Sequence, residues 1–205
     1  MILLSPKQAY ELDRLAIDQS HISKYDLMGN AGLRIADVAM KLAKKIKNPS
    51  ILVVCGKGNN GGDGFAAVKF LKNNNSNVTF HSLAYKEDLN PTSLKYHNEC
   101  IRLKIDGTYG YEIPDVKKID MIIDGLIGIG MKYRVRNNIK PWINWINQAC
   151  KQIISIDVPS GLNCSSGLTD KNCVEAHTTV TFGFPKLGMF LNNGLEVCGK
   201  IKVVD

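Results

Sequence analysis

The segment ILVVCGKGNNGGDG at residues 51–64 decides the fold that this sequence predicts. It begins with an apolar, β-branched run at residues 51–55, which is typical of a strand buried on both faces of a sheet. Glycines follow at positions 56, 58, 61, 62 and 64, and an apolar-periodic segment at residues 65–71 predicts a helix. We therefore expect a strand, a tight turn and a helix whose free N–H groups bind an anion, most often a phosphate.

The spacing of the first three glycines matches the dinucleotide-binding fingerprint. The acidic residue that usually follows about 20 residues later, at the end of the second strand, is missing. Instead, the glycine-rich turn holds two amides and a carboxylate, Asn59, Asn60 and Asp63. A carboxylate repels phosphate, so it favours hydroxyl binding, proton transfer or a cation site. The alternative is that Asp63 only caps the helix.

Strand-like and helix-like segments alternate along the chain. We expect helices at residues 5–19, 25–47, 65–71, 91–104 and 141–149, and strands at residues 51–55, 78–85, 119–124, 152–157, 176–182 and 200–204. The segment at residues 105–118 is predicted to be irregular. This alternation predicts an α/β fold with a mostly parallel sheet and right-handed crossovers.

Three carboxylates stand at or near predicted strand ends. Asp63 follows the first strand, Asp124 ends the third and Asp157 ends the fourth. In open parallel sheets, ligands bind beyond the carboxyl ends of the strands, so we expect these acids to converge on one crevice. Each of them alone could be a turn or cap residue, but together they favour a functional site.

Composition excludes several classes of protein. The chain has 205 residues, 44% of them hydrophobic and 22% charged, which fits one globular domain without a linker. It contains no apolar run of about 20 residues and no signal peptide, so we expect a cytoplasmic protein with no membrane partner. The net charge is +7, but the lysines are spread along the chain, which disfavours nucleic-acid binding. Six cysteines without a Cys-x-x-Cys pair predict free thiols.

Three motifs in order resemble the signature loops of the NAD(P)H-hydrate epimerases, the YjeF N-terminal domain family. They are VCGKGNNGGDG at residues 54–64, IIDGLIGIG at 122–130 and SIDVPSG at 155–161. Leu27-Met28 followed by Asn30-Ala31-Gly32 is similar to the family's N-terminal helix. The resemblance extends from about Ser5 to the end of the chain. It identifies residues 1–205 as a single domain of this family.

The resemblance implies a Rossmann-like three-layer α/β/α sandwich and an isomerase that repairs nicotinamide cofactors. The reaction would interconvert the R and S epimers of hydrated NADH and NADPH, called NADHX and NADPHX. A separate or C-terminally fused dehydratase, dependent on ADP or ATP, would then convert the S form back to the intact cofactor. The abrupt end of the sequence leads us to expect a fragment of such a longer chain. A homodimer with its contact at the N-terminal helices is also expected.

The resemblance also assigns a site. It implies one potassium ion held by Asn60, Asp124 and Ser160. The residues expected to bind the substrate are Asn59, Asn60, Gly61, Gly62, Asp63, Gly128, Ile129, Gly130, Met131, Lys132, Tyr133, Arg134 and Asp157. Either loss and return of the substrate hydroxyl or opening of its ring needs a general acid or base. We assign that role to Asp157, with Asp63 as the second candidate.

Two positions depart from the family's pattern. Ile129 stands where Thr is frequent, and Tyr133 stands where Arg is usual, with Arg134 one residue later. Two alternatives therefore stay open. One is a non-catalytic dimeric scaffold or nucleotide-sensing domain of the same fold, which would not need the three carboxylates. The other is an ordinary NAD(P)-dependent oxidoreductase, which the missing acid after the second strand disfavours.

Overall fold

A seven-stranded parallel sheet forms the centre of the structure, a computed structural model that describes residues 1–20, 22–114, 118–131, 134–149, 152–169 and 171–204. The strands are β1 (Ser50–Cys55), β2 (Asn77–Ser82), β3 (Gly107–Tyr109), β4 (Met121–Gly125), β5 (Ile153–Ile156), β6 (Thr178–Phe182) and β7 (Lys200–Val204). Their order is β3-β2-β1-β4-β5-β6-β7, and every pairing between them is parallel. The predicted α/β class with a parallel sheet is therefore confirmed.

Helices connect these strands. They are α1 (Pro6–Ser20), α2 (Lys24–Ala43), α3 (Asn59–Asn73), α4 (Pro91–Arg102), α5 (Lys140–Ala149) and α6 (Gly194–Val197), with short 3₁₀ turns at Lys86–Asp88 and Leu187–Phe190. None of the helices in the described ranges combines the length and the apolar character that a membrane span requires. The five cysteines in these ranges are buried, and none of them forms a disulfide bond there, in agreement with the predicted thiols.

Two apolar layers enclose the sheet. On one face, α2, α3 and α4 share a core with Val53, Phe65 and other buried side chains. On the opposite face, α5 places Trp142 against a second group of side chains that includes Leu52 from β1. Each such buried side chain contributes about 1.5–3 kcal/mol to folding. Consecutive residues of β1 thus point into different cores, which explains its continuous apolar run.

The predicted elements differ from the observed ones in several places. Strand β2 ends at Ser82 and not at residue 85, and the short helix α6 was not predicted. Helix α3 begins at Asn59 and not at Phe65, so the Asn-Asn-Gly-Gly-Asp segment forms its first turns and is not a loop. Glycine is required there because a Cβ atom on Gly61 would lie 1.8 Å from the carbonyl oxygen of Gly56. Helix α2 ends at Ala43, four residues before the predicted end. Strand β3 was missed because its three residues, Gly-Thr-Tyr, carry no apolar alternation.

The connections between the strands place the candidate ligand site at the carboxyl ends of the strands. Strand β1 lies between β2 and β4, so the chain leaves β1 toward one side of the sheet and later returns to pair on the other. At such a switch point, the loops that follow neighbouring strands diverge and open a crevice. The segments that follow β1, β4 and β5 all begin at these carboxyl ends, where the sequence predicted three carboxylates to meet.

Candidate active site

The N-terminus of α3 forms one side of the crevice. Its N-cap is Gly58, which is extended and provides no side-chain cap, so Asp63 is not the capping residue. The capping alternative is therefore wrong. The first N–H groups of a helix have no acceptor within the helix and carry a partial positive charge, which suits an anion. Asn90, the N-cap of α4, donates from its Nδ2 to Asn59 Oδ1 at 3.1 Å and ties this turn to the neighbouring helix.

Asp124 is the buried centre of the site. It lies in β4 and is fully buried. Its Oδ1 accepts hydrogen bonds from Ser160 Oγ at 2.6 Å and from the N–H of Leu126 at 3.2 Å. Its Oδ2 accepts from Ser155 Oγ at 2.8 Å and from the N–H of Ser160 at 3.0 Å. Burial raises the pKa of Asp124, and the hydrogen bonds from Ser160, Ser155 and Leu126 oppose that rise.

Asn60 completes a set of oxygen-bearing side chains around Asp124. Asn60 is buried, and its Nδ2 has no hydrogen-bond partner among the described residues. A Cβ atom on Gly128 would lie 3.0 Å from Asn60 Oδ1, so this amide contacts the loop after β4. Ser160 reaches the same loop, since its Oγ accepts from the N–H of Ile127 at 2.8 Å. The structure thus brings Asn60, Asp124 and Ser160 to one loop.

These three residues fit a monovalent cation. The two ends of an Asn amide are distinguished only by their hydrogen bonds, so the unpartnered end of Asn60 can equally present its oxygen. No ammonium or guanidinium group pairs with the buried Asp124 in the part of the chain that the structure describes. No cluster of three or more His, Cys, Asp or Glu residues occurs in that part either. A cation here would therefore depend on amide, hydroxyl and carboxylate oxygens, the donors that hard cations prefer.

Asp157 lies directly after β5 and forms a buried ion pair. Its Oδ1 accepts a hydrogen bond from Thr181 Oγ1 at 3.0 Å and a short one from Lys186 Nζ. The side chains of Lys186 and Asp157 are only 4% and 13% exposed. Lys186 Nζ also donates to Thr181 Oγ1 at 2.9 Å and to the carbonyl oxygen of Phe182 at 3.3 Å. The ammonium and the carboxylate therefore hold each other in a fixed orientation at the crevice.

The sequence reasoning missed Lys186 and Thr181. Thr181 lies in β6, and Lys186 follows this strand at the same edge of the sheet as Asp124 and Asp157. The signal that could have found Lys186 is its place after a strand end, the criterion that selected the three carboxylates. That criterion was applied to acids only.

Asp63 in α3 has a different electrostatic environment. Desolvation by burial raises its pKa well above the usual range, and the negative charges of Asp157 and Asp13 add to the rise. Lys186 opposes it. The two carboxyl groups in this crevice thus have different electrostatic environments, because Asp157 has an ammonium partner and Asp63 favours its protonated form. Unequal environments of this kind separate an acid from a base within one site.

The second glycine-rich loop, after β4, forms the opposite rim. Gly130 and Arg134 are exposed, and Gly128, Ile129 and Met131 are half-buried. Ile129 packs against the apolar cluster around Val158 and Leu162. Its departure from the family's Thr is therefore accommodated by packing. The predicted substrate residues Lys132 and Tyr133 lie outside the described residues.

Fold and site together define a class of protein. A parallel α/β sheet carries an uncapped helix N-terminus, a buried carboxylate with oxygen donors around it and an Asp–Lys ion pair, all at the switch point of the strand order. This is the class of Rossmann-like proteins that bind a ligand at the carboxyl ends of their strands. The model of the family described as YjeF-related protein N-terminus matches residues 24–188, and the chain belongs to this family.

Relatives in sequence agree with that assignment, and a solved structure shares the fold. The chain is 30% identical over 208 residues to the NAD(P)H-hydrate epimerase of Oenococcus oeni, covering 100% of this chain and 96% of that protein. It is 33% identical over 213 residues to the bifunctional NAD(P)H-hydrate repair enzyme of Moorella thermoacetica, covering 100% of this chain and 40% of that protein. The chain thus spans about two fifths of the bifunctional relatives, which include one from Coxiella burnetii. The yeast protein YNL200c is similar in fold, with a TM-score of 0.83 at 20% identity over 99% of this chain and 87% of that one.

Proposed function

We propose that this chain is a single epimerase domain that interconverts the R and S forms of hydrated NADH and NADPH. The observation that carries the proposal is the acid–base group in the crevice, in which Asp63 favours its protonated form while Asp157 is paired with Lys186. Two relatives that match 100% and 95% of this chain are named NAD(P)H-hydrate epimerase, and the first match covers 96% of that relative. The seven strands within the described residues belong to one sheet, which supports the proposal of a single domain over residues 1–205.

The proton transfers of the reaction need both groups. The substrate carries a hydroxyl on the ring carbon next to the ring nitrogen, and inverting that carbon requires a bond to break and re-form. Whether the hydroxyl leaves or the ring opens, one proton is given and one is taken. We assign the donor to Asp63 and the acceptor to Asp157, and the roles reverse when the bond re-forms. Lys186 and Thr181 keep the Asp157 carboxylate oriented toward the ring.

The two glycine-rich segments would bind the rest of the substrate. The first turn of α3, with Asn59 and Gly61, presents backbone N–H groups to a phosphate. The N–H of Gly62 already donates to the carbonyl oxygen of Gly58 at 3.1 Å, so Gly62 would contribute to the site only through its position in this turn. Gly128 and Gly130 on the opposite rim allow a close approach of the pyrophosphate. Arg134 is exposed at the end of this loop, where a guanidinium can add charge. For Lys132 and Tyr133 the proposal rests on the resemblance alone.

A potassium ion is proposed as the resident cofactor, held by Asn60, Asp124 and Ser160. The support is the buried carboxylate without a cationic partner and the buried amide without a hydrogen-bond partner, among the described residues. When bound, the ion would neutralise Asp124 and join the loops after β4 and β5 to the start of α3. In this way it would set the shape of the crevice in which Asp63 and Asp157 act.

Further proposals concern partners. The bifunctional relatives support a functional link to an ADP- or ATP-dependent dehydratase, fused or separate. A homodimer with its contact at the N-terminal helices is proposed from the family resemblance. A cytoplasmic location is proposed because the substrate derives from the reduced cofactors used there. The alternative of a non-catalytic scaffold or nucleotide sensor is less favoured, because a scaffold needs neither a desolvated Asp63 nor a buried Asp157–Lys186 pair.

A coupled assay tests the activity. The R epimer of NADPHX is mixed with an S-specific dehydratase, its nucleotide and potassium, and the return of reduced-nicotinamide absorbance is followed with and without this protein. We expect a rate well above spontaneous epimerisation, and its absence with folded protein would contradict the proposal. Asp157→Asn should abolish the acceleration. The matched control is Asp106→Asn. Asp106 is exposed and lies just before β3, at the amino ends of the strands and away from the site.

A further inference from the structure

The first helix packs near the candidate active site and contributes little to the core. Among its described side chains, Ala9 is the only one that is buried, and it is still 7% exposed. The helix is nevertheless anchored at its start. The N–H of Leu4 donates to the carbonyl oxygen of Pro185 at 2.9 Å, and the N–H of Leu187 donates to the carbonyl oxygen of Leu4 at 2.9 Å. These two hydrogen bonds bracket Lys186, so the anchor of α1 lies on the backbone of the ion-paired lysine.

Two side chains of α1 show where the helix lies. A Cβ atom on Gly130 would be 3.1 Å from the Tyr10 hydroxyl oxygen, so Tyr10 reaches the second glycine-rich loop. A Cβ atom on Gly183 would be 3.8 Å from Leu12 Cδ2, so Leu12 reaches the segment between β6 and Lys186. The helix thus spans the crevice from one loop to the other.

Tyr10 is exposed at the mouth of this crevice. The residue is 50% exposed. Burial of its remaining surface raises the pKa of its hydroxyl, and the nearby negative charges of Asp157 and Asp13 add to the rise. An aromatic ring that is half open to solvent beside an acid–base group offers an apolar face against which a ligand ring can pack. The part of the substrate that must approach Asp157 is the hydrated nicotinamide ring, and not the adenine.

We propose that α1 forms a wall of the active site and that Tyr10 contacts the hydrated nicotinamide ring of the substrate. This inference rests on the proposed epimerase function. Tyr10 acts as a specificity-determining residue, since it holds the ring against the Asp157–Lys186 side of the crevice and takes no part in proton transfer. The contact belongs to the aromatic face, so the hydroxyl of Tyr10 is dispensable.

Substitutions at Tyr10 test the contact through the Michaelis parameters. Tyr10→Ala should raise KM for the R epimer of NADPHX about fivefold or more, with kcat within about twofold of the wild type, because an aromatic contact with the bound ring is lost. Tyr10→Phe should keep the wild-type KM. The matched control is Tyr111→Ala, because Tyr111 is 49% exposed and follows β3, away from the Asp157–Lys186 pair. Equilibrium binding of NADPHX, measured by calorimetry, should weaken by the same factor in Tyr10→Ala only.

The possible outcomes separate the two proposals. If the wild type accelerates epimerisation and Tyr10→Ala has an unchanged KM and affinity, the contact is refuted and the epimerase function stands. If Tyr10→Ala lowers kcat in proportion to a loss of folded protein, with KM unchanged, Tyr10 has only a structural role. If Tyr10→Phe loses affinity like Tyr10→Ala, the hydroxyl and not the ring makes the contact, which also overturns the inference. If the wild type neither catalyses the reaction nor binds NADPHX, the proposed function fails and the inference fails with it.

Discussion

Removing the ammonium of Lys186 should both destabilise the protein and inactivate it. Lys186→Met keeps most of the side-chain volume and deletes the charge. The Nζ atom has three partners in the structure, Asp157, Thr181 and the carbonyl oxygen of Phe182. Without it, the Asp157 carboxylate remains 13% exposed with no cation beside it. Breaking a buried pair by removing one partner costs about 3–5 kcal/mol, which is a large part of the stability of a domain.

The double variant shows how much of this cost comes from the unpaired charge. Asp157→Asn together with Lys186→Met replaces both ions by neutral groups. Removal of both partners is far less costly than removal of one, so the double variant should be more stable than Lys186→Met alone. Urea unfolding at neutral pH compares Lys186→Met, the double variant and the wild type. Lys45→Met, which changes an exposed lysine after α2, controls for the loss of one positive charge.

Activity provides a second measurement on the same proteins. Since Lys186 orients the proposed base, Lys186→Met should lower the epimerisation rate by about 100-fold or more. The rate is measured without denaturant, at a temperature at which the variant is folded. A Lys186→Met variant within about 0.5 kcal/mol of the wild type in stability would refute the buried pair as described. A variant that is destabilised but retains full activity per folded molecule would refute the orienting role alone.

The remaining predictions concern charge and the cation. The folded-state pKa of Asp63 is raised, so the free energy of unfolding falls as pH rises from about 4, the unfolded value, through the folded pKa. In urea unfolding between pH 4 and 8, Asp63→Asn should reduce this pH-dependent loss of stability, and Asp106→Asn should not. Removing the negative charge of Asp13 should lower the pKa of Asp63, so Asp13→Asn should move the alkaline limb of the epimerase rate to lower pH, while Glu11→Gln, which faces solvent beside Arg14, should leave it in place. Potassium chloride should raise the melting temperature of the wild type above that in tetramethylammonium chloride, because a ligand of the folded state stabilises it. Ser160→Ala should remove this difference, and a variant that retains it would contradict the proposed ligand set.

Local patterns in the sequence predicted most of the fold. The apolar run of β1 and the glycines after it established a strand followed by a helix, and the alternation of segments established a parallel sheet. The start of α3 was placed too late, because glycine and asparagine are poor helix formers in isolation. In the structure, close packing outweighs this preference, since the backbones at Gly56 and Gly61 approach too closely for any side chain. Strand β3 was lost because three residues without an apolar pattern give no signal.

The site was predicted less completely than the fold. Asp63, Asp124 and Asp157 could be selected because each stands near a strand end, and the sheet then brings these ends together. Lys186 could not be assigned to Asp157 from spacing, since the two are 29 residues apart and meet only through the pairing of β5 with β6. Family membership was predicted correctly from the three motifs. The roles of the individual residues remain predictions.

Three features at the carboxyl ends of the strands lower the stability of the fold, and they favour an enzyme over a scaffold. Asp157 has a φ of 63°, a left-handed conformation that costs a non-glycine residue of order 1–3 kcal/mol. Asp63 is a desolvated carboxyl group with a raised pKa, and the buried Nδ2 of Asn60 has no partner among the described residues. A leucine at position 63 and an alanine at position 60 would remove the desolvated carboxyl group and the orphaned amide, and a glycine at position 157, together with a neutral residue in place of Lys186, would relieve the strain without leaving a buried charge unpaired. A domain that only assembles with partners would gain stability from such changes, whereas a catalytic crevice needs the carboxylates and the amide where they stand.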